Sequence, residues 1–300
     1  MVIVLALLTC CAIFWSCSSR TSRRIAFDLE SSDAHLKKKI GLSYLRNQTS
    51  FGDPGLNTIF ERELVTHLAK SGPDLLIKKP GDQDFPDEII EPPLLASGRI
   101  DNLALALEAR RSGINDVVVC TLQNVHQEQE ETGMLWFKGS RAFVVVQVLV
   151  EVYDSLTAAK VLEENYEHEI ELDEVGSQMI RNDMTLTTRI IVDALTEIMP
   201  DLSEDISDAV LTKPWRGFIK AATGDKVFIA SGRRVGVRKE DRYAVHACDR
   251  ILDGVAGERF FLPAEPYAEI KVTTVFPEWS EAVILKGGPL KENSYLRPLK

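Results

Sequence analysis

Histidine and cysteine, five each in this 300-residue chain, seldom stand together. His246 and Cys248 are the only Cys/His pair at close spacing, and no further ligand follows nearby. A structural histidine on a strand is therefore the expected role, not a metal site. His126 and His168 lie among carboxylates, in 123–131 and 163–174. A solvated acidic surface is expected there, because carboxylates alternating along a strand do not make a fixed cage; a weak divalent-cation site is the competing reading. Ser43, Ser177 and Ser231 lack the strand-to-helix turn that presents a nucleophilic serine. Gly287-Gly288-Pro289 lacks both the Lys-Ser/Thr and the strand-to-helix setting of a phosphate loop. No catalytic, cofactor-binding or metal-ligating residue is assigned, and no enzymatic activity is expected. One thiol has a different setting. Cys17 stands in Ser16-Cys17-Ser18-Ser19, directly after an almost unbroken apolar run over 2–15.

That run is short for a bilayer span, which needs about 20 apolar residues. It has the size of a secretory signal core, about 7–15 residues. With a small residue before the cysteine, it resembles a bacterial lipoprotein signal, in which the cysteine becomes the lipidated first residue of the mature chain. The resemblance implies residues 1–17 as signal and lipidation at Cys17. It places the remaining chain in the cell envelope, on the periplasmic side, tethered through lipid to the outer membrane. No Lys or Arg precedes the run, and Phe14 and Trp15 are bulky for such a signal. Cys10 and Cys11 are alternative sites after Leu7-Leu8-Thr9; Ser16 and the polar Ser18-Ser19 favour Cys17. An uncleaved anchor is the competing topology, since Arg20, Arg23 and Arg24 would hold the body on the cytoplasmic side. A buried helix fits less well, because the run has no polar face.

Hydrophobic and charged contents of 45% and 27% are those of a globular protein. The net charge of −10 argues against nucleic acid as a partner, which requires basic surface to displace counterions. Cys120 and Cys248 are the two cysteines outside the leader, each in an apolar run, and are expected as buried small hydrophobes rather than a disulfide.

A polar linker over 18–38 ends in Lys37-Lys38-Lys39. A strand is expected from Ile40, then a helix from Asp53-Pro54 with Leu56, Phe60, Leu64 and Leu68 on one face. A strand at 75–77, a proline-rich loop over 80–93, a helix over 102–112 capped by Gly113, and a buried strand over 116–122 follow. The stretch 123–133 reads as polar and acidic. A hairpin over 142–153 and 160–172 leads to the longest helix, 178–199, which Pro200 is expected to stop. After 203–213 the period changes to short strands separated by turns. The expected fold class is α+β: a three-layer-type α/β domain with a mixed sheet over 39–202, then a small all-β barrel or sandwich over 213–300. The two are expected to be separable. Trp215, Phe218 and Phe228 are expected in the barrel core.

Ile40-Gly41-Leu42-Ser43-Tyr44-Leu45-Arg46-Asn47 resembles the opening strand of envelope lipoproteins related to the curli-secretion lipoprotein and of the Tol N-terminal domain. In that group a helix ending A-R-x-x-G leads into a strand reading A-D-x-V-x-x-G. Ala109-Arg110-Arg111-Ser112-Gly113 and Asn115-Asp116-Val117-Val118-Val119-Cys120 are similar, with Asn115 for Ala and Cys120 for the small residue. Asp154-Ser155-Leu156-Thr157-Ala158 resembles the hairpin turn D-x-x-T-G without its glycine. The chain from Trp215-Arg216-Gly217 through Val227–Val245 is similar to the C-terminal domain of flagellar assembly protein T, with Glu240 in place of a turn glycine and Glu292-Asn293 for a final G-D. Gly232 and Gly236 are expected in tight turns with positive φ. These resemblances imply a non-catalytic assembly or interaction scaffold of the flagellar or secretion-apparatus kind, with no cofactor. Its partner would be an envelope protein or a second copy of itself. The competing functions are an exported ligand-binding or enzymatic domain with an unrecognised pocket, and a cytoplasm-facing anchored protein.

Overall fold

The computed structural model describes residues 35–53, 55–83, 85–132, 139–172, 184–291 and 293–299. The signal with Cys10, Cys11 and Cys17, the linker up to residue 34, Ser177 and the expected helix start at 178 lie outside the described residues. All described residues fall in one compact unit, Ser32–Lys300.

Strands β1 (Lys38–Leu42), β2 (Arg46–Asn47), β3 (Leu75–Lys78), β4 (Asp116–Thr132), β5 (Gly139–Asp154) and β6 (Lys160–Leu172) form one mixed sheet in the order β3-β1-β4-β5-β6, with β2 beside β4. β1 runs parallel to β3 and β4, through crossovers carrying α1 (Gly55–Ser71), then α2 (Asp87–Ile90) and α3 (Asn102–Arg111). β4, β5 and β6 are antiparallel. The final helix is α4 (Met184–Leu211).

Strand alternation makes three layers. Val118, Cys120 and Leu122 of β4 and Val144, Val146, Val148, Val150 and Val152 of β5 pack with Leu64 and Leu68 of α1 and Leu195 and Ile206 of α4. The opposite face carries Val117, Val119 and Tyr153, covered by Ile89 of α2 and Leu105 and Ala109 of α3. The mixed α/β part is thus as expected in class.

The second part holds β7 (Gly217–Thr223), β8 (Lys226–Ile229), β9 (Arg242–His246), β10 (Arg250–Asp253), β11 (Arg259–Leu262), β12 (Pro266–Val275), β13 (Ser280–Lys286) and β14 (Tyr295–Pro298). Six of these close into a barrel in the order β12-β13-β8-β7-β14-β9, while β10 and β11 pair with each other. Closure removes open sheet edges, so the barrel is the realised alternative. Val227, Ile229, Tyr243, Val245, Ile270 and Val272 fill it, and Trp215 packs on Tyr243 with ring centroids 5.7 Å apart.

Several expectations are corrected. Pro200 does not stop α4, which continues to Leu211. A proline inside a helix costs about 3 kcal/mol. Leu202, Ile206 and Val210 beyond it are fully buried, and each such side chain contributes roughly 1.5–3 kcal/mol, so burial outweighs the lost hydrogen bond. Residues 123–132, to which the sequence assigned no element, are strand: β5 pairs with 124–132, with one bulge at Leu122/Asn124. β1 starts at Lys38, and Leu36 packs into the barrel core, so the end of the expected linker is structural. Gly232 has φ −132°, not a positive value; it is needed because Phe276 O would lie 2.3 Å from a Cβ. Gly236, at φ 106°, does use left-handed backbone. Phe228 lies outside the barrel core: alternation along β8 turns Val227 and Ile229 inward and Phe228 outward.

Candidate functional site

The α/β sheet and the barrel meet at a seam built by α3, the β5–β6 turn and β7. Asp101 caps α3 by accepting from Ala104 N at 3.1 Å. The helix ends at Gly113, at φ 69°, where Ala230 O would sit 1.8 Å from any Cβ. This close approach lets the barrel rest against the end of α3. Arg110, in the last turn, is 4% exposed. Its Nε donates to Ser155 O at 2.6 Å, and Nη2 donates to Leu156 O and, at 3.5 Å, toward Cys248 Sγ. The guanidinium carbon lies 3.8 Å from the Phe261 ring centroid. Burial pulls its pKa below the ordinary guanidinium value.

The same turn is fixed from the other side. Asp154 Oδ2 accepts from Thr157 Oγ1 at 2.6 Å and from Thr157 N at 3.2 Å. The two motifs, Ala109–Gly113 and Asp154–Ala158, are therefore one structural unit, with Arg110 holding the carbonyls of the turn that Asp154 closes. Ala158, where the pattern carries glycine, has φ 62°, and Glu240, the other substituted glycine, has φ 76°. Both keep the left-handed backbone that a glycine would adopt without strain. Asn115 joins three elements: its Oδ1 accepts from Lys39 N at 3.0 Å, and its Nδ2 donates to Arg216 O at 2.6 Å.

Beside this joint opens a cleft of about 80 Å³, lined by Lys39, Lys78, Arg111, Lys220, Glu278 and Trp279 among others. It adjoins a wider groove of about 570 Å³ that shares Lys78, Glu278 and Trp279 and adds Arg234. The Lys39 side chain is 4% exposed, and Nζ donates to Ser112 O at 3.0 Å and toward Ala230 O at 3.5 Å. Burial lowers its pKa to about 8; Glu278 opposes that shift, and Lys78 and Lys220 add to it. Glu278 faces Lys39 at 3.8 Å, Lys78 at 3.3 Å and Arg234 at 2.7 Å. Burial pushes the Glu278 carboxyl up, but these cations outweigh it and hold the pKa below the ordinary value. Trp279 stacks on Phe276 at 4.0 Å.

A parallel buried charge cluster lies on the other side of Asn115. Lys38 Nζ donates to Val210 O and Lys213 O, and Lys213 pairs with Asp116. Burial raises the Asp116 pKa to about 6, although Lys213 opposes it. None of these lysines was legible as a site residue: Lys38 and Lys39 close a charged run that reads as linker, and the barrel that buries them lies far along the chain.

The third feature is β6, an end strand of the sheet among the described residues. Leu162, Tyr166, Ile170 and Leu172 are half-buried toward α4, and Tyr166 OH donates to Asp205 Oδ2 at 2.6 Å. Glu163, Asn165, Glu167, Glu169 and Glu171 alternate with them and are exposed. His126 is half-buried and its Nε2 pairs with the exposed Glu128 at 2.9 Å.

The residues singled out for chemistry are not brought together. His246 stacks on Tyr295 at 4.8 Å and its Nδ1 pairs with Ala264 O at 2.9 Å. Cys248 is buried at the seam and Cys120 in the sheet core, both as free thiols. Burial pushes Cys120 up to about 12. Ser231 is buried, its carbonyl accepting from Ser280 Oγ. Among the described residues no group of three or more His, Cys, Asp or Glu is arranged to hold a metal ion, and no helix is long and apolar enough to cross a membrane.

No family model and no curated protein matches the chain. Solved structures show partial likeness. A hypothetical protein from Chlamydia trachomatis is 13% identical, over 59% of this chain and 99% of that one, with a TM-score of 0.39. A minor lipoprotein from Acinetobacter baumannii is 13% identical, over 56% and 94%, at 0.29. The rare lipoprotein B from Shewanella oneidensis is 11% identical, over 57% and 98%, at 0.28. Likeness of this size transfers no role to this chain, and the curli, Tol and flagellar resemblances rest on their motifs alone.

Proposed function

We propose that the protein is a lipid-tethered component of the cell envelope, anchored through Cys17, that works by contact with another envelope protein and performs no catalytic step. The observation that carries the contact reading is β6, thirteen residues that among the described residues pair with a neighbouring strand on one side only. An outer strand presents a row of unpaired N–H and C=O groups and is a template for an added strand. Its exposed glutamates decide who can add. Antiparallel self-pairing would oppose glutamate to glutamate on the open face, which is destabilising. A basic, extended segment of a different protein fits instead. The motif residues support a non-catalytic reading, since Arg110, Asp154 and Thr157 are spent on holding the seam.

A photo-crosslinking residue placed at Glu167 in the full chain, in cells, tests this. The expected result is capture of one envelope protein through a basic segment, with loss of capture in Glu163→Lys/Glu169→Lys. Capture of a second copy alone, or capture indifferent to charge reversal, would overturn the strand-addition reading.

A further inference from the structure

The seam cleft has the wrong charge for the molecule around it. The chain carries a net charge of −10, yet Lys39, Lys78, Arg111 and Lys220 line one small cavity with Glu278 as their carboxylate. Glu278 is already shared among Lys39, Lys78 and Arg234. Arg111 pairs with Glu108, outside the cavity, and Lys220 has no ion pair among the described residues. An ammonium has three donors. Two from Lys39 go to the Ser112 and Ala230 carbonyls, and Glu278 Oε2 stands 3.8 Å away, beyond a normal hydrogen bond. Donor capacity and positive charge are thus both in excess inside the cavity.

Placing like charges together in a partly buried site costs free energy unless an anion joins them. Geometry also limits which anion. The cavity, about 80 Å³, has room for a head group and not for a large molecule. The adjoining groove, about 570 Å³, offers Leu76, Ile77 and Trp279 to whatever the head group carries. A dianion answers the charge excess better than a single carboxylate would. Lysine and arginine are the usual phosphate-binding pair, the first as a point charge and the second as a fork.

We propose that this cleft binds a phosphate monoester, its phosphate among Lys39, Lys78 and Lys220 and its organic part in the groove beside Trp279. The site is independent of β6, so its failure would leave the contact reading standing. A phosphorylated lipid head group and a free phosphate ester share this chemistry, and the probes separate them.

Thermal unfolding and calorimetric titration of the full chain would use inorganic phosphate and glycerol 3-phosphate in detergent, and, after detergent removal, reconstitution into vesicles with or without phosphatidic acid, each against chloride at matched ionic strength. Saturable stabilisation by glycerol 3-phosphate, tighter than inorganic phosphate, is expected. Because the lipid anchor itself inserts into any bilayer, greater stabilisation by vesicles with phosphatidic acid than by vesicles without it would identify a lipid source, and no difference a soluble one. Lys220→Glu reverses an exposed, unpaired charge and leaves the buried core untouched, so it should fold normally. It should weaken binding about tenfold or more, the range of one hydrogen bond to a charged group. Lys291→Glu, at a lysine that pairs with Asp249 and lines neither the cleft nor the groove, serves as control and should leave binding unchanged. Stabilisation no greater than that by chloride, or equal binding by the Lys220→Glu protein, would overturn the proposal.

Discussion

Lys38 and Lys39 are consecutive, stand on opposite faces of β1, and are both buried. Each has a folded-state pKa lowered from 10.5 to about 8, mainly by loss of water. Between those values the unfolded chain holds a proton that the folded chain has released. Stability contributed by these groups is therefore lowest below pH 8 and rises toward pH 10.5, by about 1.4 kcal/mol per unit for each group. Lys39→Met removes one of the two. Its difference from wild type in urea unfolding free energy should shift by a few kcal/mol between pH 7.5 and 10, with the variant relatively more stable at the lower pH. A difference that is flat with pH would mean that Lys39 is hydrated in solution. Asp116 runs the other way at lower pH: its carboxyl, raised from 3.8 to about 6, disfavours folding as pH climbs through that window.

At the scale of elements, α4 is the case where pattern and punctuation disagree. Pro200 predicts a stop; the apolar face of Ile191, Leu195, Ile198, Leu202 and Ile206 carries on through it. Pro200→Ala restores a helix-forming residue at a position that stays helical, and Pro200 is exposed, so no packing is lost. Stabilisation of about 1–3 kcal/mol is expected from chemical denaturation. Destabilisation would show that the helix needs the bend which proline imposes. Elements with their own period were legible: Leu56, Phe60, Leu64 and Leu68 announce α1, and the alternation of β6 gives its full span. Those whose existence depends on a neighbour were not. Residues 123–132 read only as polar and acidic until β5 is laid beside them. β10 and β11 carry little inward alternation, with Ile251 and Leu252 both exposed, and β14 is four residues ending in proline. The cleft was illegible for a related reason: Lys39, Lys220 and Glu278 come from three distant segments, and no local spacing relates them.

At the scale of the whole molecule two questions remain coupled to residues already named: how the body is held in place, and whether it acts as one piece. For the first, the apolar leader and the Ser16-Cys17-Ser18-Ser19 junction predict that Cys17→Ala abolishes lipid attachment, since stable anchoring takes more than one acyl chain and a diacylated cysteine supplies them. Membrane fractionation with mass spectrometry of the mature N-terminus would check it, and unchanged processing at Cys10 or Cys11 would move the site. For the second, the competing expectation is independent folding of 39–202 and 213–300. The seam argues otherwise. Leu103, Ala106 and Leu156 of the first part share one buried cluster with Phe218, Cys248, Phe261 and Tyr295 of the second. Arg110 sits within it, bonded to the β5–β6 turn and lying over Phe261. Burying a guanidinium there is worthwhile only while both parts are in place, so the two should unfold together. Far-UV dichroism, which follows the helices, and aromatic signals, which include Trp215 of the barrel, should give coincident transitions. Arg110→Met leaves the Ser155 and Leu156 carbonyls without their donor and should lower stability by about 2–4 kcal/mol, through the same single transition. Two separate transitions in the unaltered protein would show that the parts fold alone and that Arg110 only docks them.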